Sequence, residues 1–276
     1  MVNRMSVLGT FFMVSASLAI AACGGSSSES EAPTTTTAPA ETTSTVQVKA
    51  QTYAEAVTSR LGIELGDAKV AASVVAKMDA ESLAALETQV PASQVATSEL
   101  FRYRPKRGAD EQIDSVVVFS FGNRVASDGA TSSGPTNEAL ANSTAAFVKG
   151  HPVPVYAQWE VAEILGTLGV ANVVSIKPGV GADGKEIYLS TAGVADKAVQ
   201  DAGAASRPLG TVGVICFADH AVRCVLTAET AGMDAVVPKG ADLPDTYDPQ
   251  SGQSWTRDRA TFISTDLTAR RASFGG

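Results

Sequence analysis

From residue 115 onward, short runs of β-branched and aromatic residues alternate with longer segments in which apolar residues recur every three or four positions. The short runs predict buried strands at 115–121, 152–157, 172–176, 211–217 and 234–238. The longer segments predict helices at 137–150, 158–169, 191–204, 220–232 and 256–272. This alternation is typical of βαβ units, and continuous apolar strands indicate a sheet that is covered on both faces. We therefore predict an α/β fold with a doubly wound, mostly parallel sheet of five strands.

The segment before this domain has a different pattern. Residues 53–100 repeat apolar positions at helical spacing, with Asp79 expected to cap a helix and Pro91 expected to end it. The charged stretch that follows contains proline and glycine, which favours a loop. We assign residues 51–112 to an N-terminal helical annex with its connector, and residues 113–276 to the α/β domain.

The first 22 residues have the pattern of a secretory signal peptide. Arg4 precedes an apolar stretch, and small residues lead to Cys23. The sequence "IAAC" (20–23) resembles the lipobox of bacterial lipoproteins. In that family the cysteine sulfur receives a diacylglyceryl group and becomes the first residue after cleavage. The resemblance implies that residues 1–22 are removed and that Cys23 anchors an exported protein to the outer face of the cell membrane, because two or more acyl chains give stable anchoring.

After Cys23, the chain consists mainly of Ser, Thr, Pro and Glu up to residue 50. Such a composition buries too little apolar surface to offset the entropy of ordering, so we expect a disordered tether over 23–50. The whole chain carries a formal net charge of −8, and 45% of its residues are hydrophobic. The acidic balance argues against general affinity for nucleic acid, so no nucleic-acid partner is expected.

Polar and charged residues follow each of the predicted strands. In open α/β sheets, ligands bind outside the carboxyl ends of the strands, where helix N-termini add partial positive charge. Four cations, two carboxylates and a histidine are expected at this strand-end rim. In chain order, the residues after the five strands are Gly122, Asn123 and Arg124, then Gln158, Trp159 and Glu160, then Lys177, then Asp219, His220 and Arg223, and finally Lys239. The rim therefore predicts a site for a small anionic ligand.

The same strand ends resemble the YdcF/SanA-like family of envelope domains. The matching elements are "FSFGNRV" (119–125), "YAQWEVAEIL" (156–165) with Glu160, "YLSTAG" (188–193) with Thr191, and "FADHAVRC" (217–224) with His220 and Arg223. The resemblance covers about residues 115–238 and implies a Rossmann-like fold and a role at the cell envelope, without a settled reaction. In two places the chain departs from the family: Gln158-Trp159 replaces a glycine-rich turn, and the Thr191 helix lacks the usual Asn.

The stretch "ICFADHAVRCVLTAETAG" (215–232) allows three interpretations. His220 and Arg223 could bind an anion together. His220 could instead act as a general acid or base, since its ordinary pKa lies near neutrality. In the third interpretation Asp219 caps the helix and His220 covers its first turn.

Two cysteines remain once Cys23 is acylated. Cys216 lies near the end of the fourth strand and Cys224 lies about one turn into the next helix, which is a borderline geometry for a disulfide. Because buried free cysteines are common, we predict two buried thiols.

These observations favour a lipid-anchored envelope protein that binds, and in one version modifies, a small phosphate- or nucleotide-like ligand. The predicted binding residues are Gly122, Asn123, Arg124, Gln158, Thr191, Asp219 and Arg223. One alternative is a hydrolase or transferase that uses Glu160 and His220 as catalytic residues, and another is a non-catalytic interaction module. The sequence identifies no cofactor. With two histidines far apart in the chain, no metal site is expected.

Overall fold

The computed structural model describes residues 51–181, 184 and 186–274. All of them fall within one compact unit. The predicted signal peptide, the lipidation site Cys23 and the tether lie outside the described residues. Within the described part of the chain, every helix is too short or too polar to cross a bilayer.

Eight helices and ten strands are found among the described residues. The helices are α1 (Tyr53–Leu65), α2 (Ala68–Lys77), α3 (Ala80–Gln89), α4 (Pro135–Gly150), α5 (Trp159–Thr167), α6 (Thr191–Ala204), α7 (Ala221–Thr230) and α8 (Arg259–Phe274). The strands are β1 (Arg107–Gly108), β2 (Ser115–Val118), β3 (Arg124–Val125), β4 (Thr131–Ser132), β5 (Val155–Gln158), β6 (Val173–Ile176), β7 (Gly179–Val180), β8 (Glu186–Ile187), β9 (Thr211–Ile215) and β10 (Asp234–Pro238). All predicted helices and strands are present.

The central sheet is parallel throughout, in the order β1-β10-β9-β2-β5-β6. From β2 the chain moves outward through β5 to β6, and then crosses to β9 on the other side of β2 and continues to β10. The neighbouring strands β2 and β9 therefore form the topological switch point, where ligands bind in folds of this kind. The prediction of a doubly wound, Rossmann-like α/β fold is confirmed.

The sheet has six strands, so the prediction of five is wrong. The additional edge strand β1 comes from the charged connector, where Arg107 and Gly108 pair with Val237 and Pro238 of β10. A two-residue strand has no apolar run to reveal it. Gly108 is needed at this edge because a Cβ there would lie 2.5 Å from Cγ2 of Val236.

Alternate residues of the strands face two different cores. On one face, Val116 and Val118 of β2 pack with residues of α4, α5 and α8, and on the other face Val117 packs with residues of α6 and α7. The period of two in a strand thus explains why both faces had to be apolar.

The helical annex belongs to the first of these cores. Its buried residues Val57, Leu61 and Val74 lie in the same apolar cluster as Phe262 and Ile263 of α8. The predicted cap of α3 is confirmed, since the Asp79 side chain accepts a hydrogen bond of 2.6 Å from the amide of Ser82.

Two β-hairpins project beyond the sheet. Antiparallel β3 and β4 form one, and antiparallel β7 and β8 form the other. The residues directly after β2 and directly after β8 line one cavity, which brings the hairpins to the carboxyl end of the sheet.

Candidate functional site

A cavity of about 620 Å³ lies at the carboxyl ends of β2, β5 and β9. This is the position at which the fold predicts a ligand site. Six of the residues predicted from the sequence line it: Gly122, Asn123, Gln158, Thr191, His220 and Arg223. The strand-end rim therefore contains a cavity large enough to hold a small-molecule ligand.

The loop after β2 is held in a fixed shape by Asn137, a fully buried residue in the first turn of α4. Its Oδ1 accepts a hydrogen bond of 2.8 Å from the amide of Phe121, and its Nδ2 donates one of 2.8 Å to the carbonyl of Gly122. Gly122 has a φ of 70°. A Cβ there would lie 2.6 Å from Oγ of Ser251 and 2.8 Å from Oγ1 of Thr256. Only glycine fits this turn without displacing its neighbours.

Gln158 supports the same loop from the next strand. Its Oε1 accepts a hydrogen bond of 3.2 Å from the amide of Ser120. The carbonyl of Asn123 accepts a hydrogen bond of 2.7 Å from the amide of Gly252. Gln158 and Asn123 thus both line the cavity and fix its wall.

Among the described residues, Arg223 is the one cation in the cavity lining. Its Nε lies 2.5 Å from Oδ1 of Asp266, and Nε of Arg270 lies 2.7 Å from Oδ2 of the same carboxylate. The side chains of Asp266 and Arg270 are 0% and 1% exposed, whereas that of Arg223 is 21% exposed. Among the described residues, no second carboxylate lies within ion-pair distance of either arginine. Two guanidinium groups therefore share one carboxylate, and the excess positive charge is accessible at Arg223.

Thr191 connects Arg223 to the histidine. Its Oγ1 lies 3.4 Å from Nη1 of Arg223 and 3.4 Å from Nε2 of His220. Thr191 is also the first residue of α6, a helix of 14 residues whose N-terminus adds partial positive charge. We call Arg223, Thr191 and His220 the cationic wall of the cavity.

His220 is buried in aromatic surroundings. Its ring contacts Phe262 at a centroid distance of 5.7 Å and Phe121 at 6.2 Å, and its Nδ1 is buried without a hydrogen-bond partner. Burial, together with the positive charges of Arg223 and Arg270, holds the pKa of His220 well below its ordinary value. At neutral pH His220 is therefore a neutral group that can donate or accept a hydrogen bond.

Asp219 does not cap the following helix, so that interpretation is wrong. The start of α7 has no side-chain cap. The carboxylate of Asp219 instead accepts two hydrogen bonds from Arg259, of 2.8 and 2.9 Å, and one of 2.9 Å from Oη of Tyr247. The ion pair with Arg259 holds the Asp219 carboxylate, which therefore does not cap α7 as its position in the sequence suggested. Asp219 also lies outside the cavity lining.

The other predicted cations do not meet Arg223. Arg124 forms an ion pair with Asp248, at 2.5 Å from Nε to Oδ2, and bonds Gln250 as well. Lys177 and Lys239 are exposed and lie outside the cavity lining. Of the four cations predicted at the strand-end rim, the cavity thus receives Arg223 alone, because a carboxylate neutralises Arg124 and the two lysines extend into solvent.

Glu160 reaches the cavity indirectly. It is fully buried, and its Oε1 accepts a hydrogen bond of 2.6 Å from Oη of Tyr188, which lines the cavity. Oε2 is buried without a hydrogen-bond partner. Burial raises the pKa of Glu160, and the hydrogen bond from Tyr188 opposes this effect in part.

The two cysteines behave as predicted. Cys216 and Cys224 are both free and both buried. Burial, and the hydrogen bond between the two thiols, raise the pKa of Cys224 well above its ordinary value. Burial shields both thiols from solvent, where a reagent would have to reach them.

Several important residues were missed from the sequence. Tyr188 follows a two-residue strand, and Asp266 and Arg270 lie in the last helix, some 40 residues after Arg223. The available signal was the i, i+4 spacing of Asp266 and Arg270, which places both on one helix face. Nothing in the sequence reveals that this face meets Arg223.

Among the described residues, no cluster of three or more His, Cys, Asp or Glu side chains is arranged to hold a metal ion. Comparisons of the chain with protein-family models, with curated proteins and with solved structures gave no match.

Proposed function

We propose that this protein is a lipid-anchored cell-envelope protein whose α/β domain binds a small phosphate- or nucleotide-like anion in the cavity beside β2 and β9. The single observation that carries the proposal is the charge imbalance at Asp266. Arg223 and Arg270 together bring two positive charges to one negative charge, and Arg223 lies at the cavity. A partly buried excess charge favours an anionic ligand as its counter-ion.

The surroundings of Arg223 suit a phosphate group. Thr191 Oγ1 supplies a hydroxyl, the N-terminus of α6 supplies partial positive charge, and neutral His220 supplies a further hydrogen-bonding nitrogen. Arg124 at the same rim is neutralised by Asp248, and Lys177 and Lys239 lie outside the cavity lining. The charge that attracts an anion is therefore concentrated at one wall.

The size of the cavity supports ligand binding over a pure interaction module. A site that had lost its ligand would be expected to fill with side chains, whereas about 620 Å³ is open here. That volume lies within the range of small-molecule sites.

Calorimetric titration with inorganic phosphate and with pyrophosphate tests the proposal. A charge-assisted hydrogen bond is worth about 1.5–3 kcal/mol, so Arg223→Ala should weaken binding roughly tenfold to a hundredfold. Lys239→Ala removes an exposed positive charge outside the cavity and serves as the matched control, with unchanged affinity expected. Equal weakening in both variants would mean that anions respond to the overall charge of the protein, which would contradict the proposal.

The envelope assignment is supported by the lipobox-like "IAAC" and by the likeness of the strand ends to YdcF/SanA-like domains. The alternative of a hydrolase or transferase is supported by one specific observation, namely that buried Glu160 bonds to a hydroxyl that faces the cavity. His220 would contribute to such a reaction as a neutral hydrogen-bonding group.

A further inference from the structure

A chain of three oxygen-bearing side chains leads from the cavity into the protein. Oγ of Ser120 lies 3.0 Å from Oη of Tyr188, and Oη of Tyr188 donates to Oε1 of Glu160 at 2.6 Å. Ser120 and Tyr188 both line the cavity, whereas Glu160 is fully buried. We call these residues the hydroxyl chain.

The direction of the hydrogen bonds follows from the number of protons. An ionised carboxylate only accepts hydrogen bonds, so the single hydroxyl proton of Tyr188 lies toward Glu160. Oη of Tyr188 is then the acceptor for the hydroxyl proton of Ser120. This arrangement leaves the lone pairs of Ser120 Oγ free to face the cavity.

Glu160 has the environment of a base. It is the second residue of α5, where the helix N-terminus favours a negative charge. Its Oε2 is buried without a hydrogen-bond partner, which leaves one carboxylate oxygen free of direct stabilisation. Burial raises the pKa of Glu160, which makes the carboxylate a stronger base.

We propose that Ser120 is a nucleophile whose proton is removed by Glu160 through Tyr188, and that it attacks the terminal phosphorus of a phosphoanhydride held at the cationic wall. The proposal rests on the proposed function for the identity of the bound anion. In this step the Ser120 Oγ–P bond forms and the bond from phosphorus to the bridging oxygen breaks. The serine proton passes to Tyr188 Oη as the tyrosine proton passes to Glu160 Oε1. The remaining phosphate leaves as an anion and needs no proton.

A fluorophosphonate probe tests the nucleophile without knowledge of the natural ligand. The probe forms an Oγ–P bond and loses fluoride, with the serine proton again passing to Glu160. Intact-protein and peptide mass spectrometry should locate the adduct at Ser120 in the wild type and find none at this position in Ser120→Ala.

Variants of the other two residues test the chain itself. Tyr188→Phe and Glu160→Gln keep the shape of each side chain, and each should slow labelling roughly a hundredfold, the size of a lost general base. The wild-type rate should rise with pH as Glu160 ionises, and Glu160→Gln should abolish this rise. The groups that face Glu160 are Tyr188 and Ser120, with Glu163 nearby on α5. Thr131→Val, which removes another hydroxyl from the cavity lining, should label at the wild-type rate.

Two results would overturn the inference: no adduct at Ser120 of the folded wild type, or labelling of Ser120 at the same rate and with the same pH profile in Tyr188→Phe and Glu160→Gln. Because labelling does not require Arg223, its failure is distinct from failure of phosphate binding. Phosphate binding without labelling would overturn only the proposed role of Ser120 as a nucleophile. Labelling without phosphate binding would overturn the proposed function and leave an activated serine.

Discussion

Arg223 and Arg270 form ion pairs with opposite oxygens of the same buried carboxylate, Asp266, at N–O distances of 2.5 and 2.7 Å. Tyr103 Oη donates a further hydrogen bond of 3.1 Å to Oδ2 of Asp266. The carboxylate thus stabilises two cations, one of which is fully buried and the other of which faces the candidate ligand site.

Asp266→Asn should therefore destabilise the protein severely. It leaves the buried Arg270 and the partly buried Arg223 without a counter-charge, which costs about 3–5 kcal/mol for a buried pair. Asp248→Asn is the control, because its partner Arg124 is 37% exposed and the loss should be about 1 kcal/mol. Urea unfolding of both variants measures the loss in the free energy of unfolding. Equal losses would show that Asp266 contributes no more to stability than Asp248 does.

The loop after β2 gives a second prediction. Gly122 and Gly129 both have positive φ, of 70° and 84°, but a Cβ at Gly129 would meet no atom within 4 Å. Gly122→Ala should cost about 1–3 kcal/mol more than Gly129→Ala, because its methyl group displaces Ser251 and Thr256. Thermal unfolding should show the larger loss at Gly122, and matching losses would mean that the turn relaxes freely.

His220 should make stability depend on pH. Its pKa in the folded protein lies well below the ordinary value of 6.5, so the unfolded chain binds the extra proton first. The contribution of His220 is therefore complete above about pH 6.5 and declines by about 1.4 kcal/mol per pH unit as the pH falls toward the folded pKa. Comparing wild type with His220→Gln between pH 7.5 and pH 5 isolates this effect, since the other titrating groups are common to both. A constant stability difference between the two proteins over this range would contradict the prediction.

The sequence predicts the long strands and helices of the fold but not its edge strand. The strands β2, β5, β6, β9 and β10 are apolar runs between turn residues, and the helices between them have regular periodicity, so local patterns were sufficient. Strand β1 was missed because its two residues carry no apolar pattern and are defined only by their pairing with β10. Fold class follows from periodicity, whereas sheet edges depend on tertiary contacts.

In the candidate site, too, some features follow from local sequence patterns and others depend on tertiary contacts. Six of the predicted residues line the cavity, because the carboxyl ends of parallel strands meet at one edge. The roles of Arg124 and Asp219 could not be predicted, since each forms an ion pair with a residue far away in the sequence, Asp248 and Arg259 respectively. Arg223 is also paired with a distant carboxylate, Asp266, but it shares this carboxylate with Arg270 and therefore keeps excess positive charge at the cavity.

The anchoring proposal makes a separate prediction about Cys23. If its thiol is acylated, Cys23→Ala should leave the protein unprocessed or release it into the medium, because the lipid supplies the membrane attachment. Cell fractionation and the mass of the mature chain measure this, with wild-type protein as the reference. A Cys23→Ala protein that is processed normally and still fractionates with the membrane would contradict the proposal.

We propose above all that the excess positive charge at Arg223 holds an anionic ligand. A crystal structure of the protein with pyrophosphate at a concentration that saturates the wild type in calorimetry tests this most directly. Phosphate oxygens should lie within about 3 Å of the Arg223 guanidinium and of Thr191 Oγ1, in the cavity beside β2 and β9. Pyrophosphate bound elsewhere, with Arg223 and Asp266 paired and no anion beside them, would contradict it.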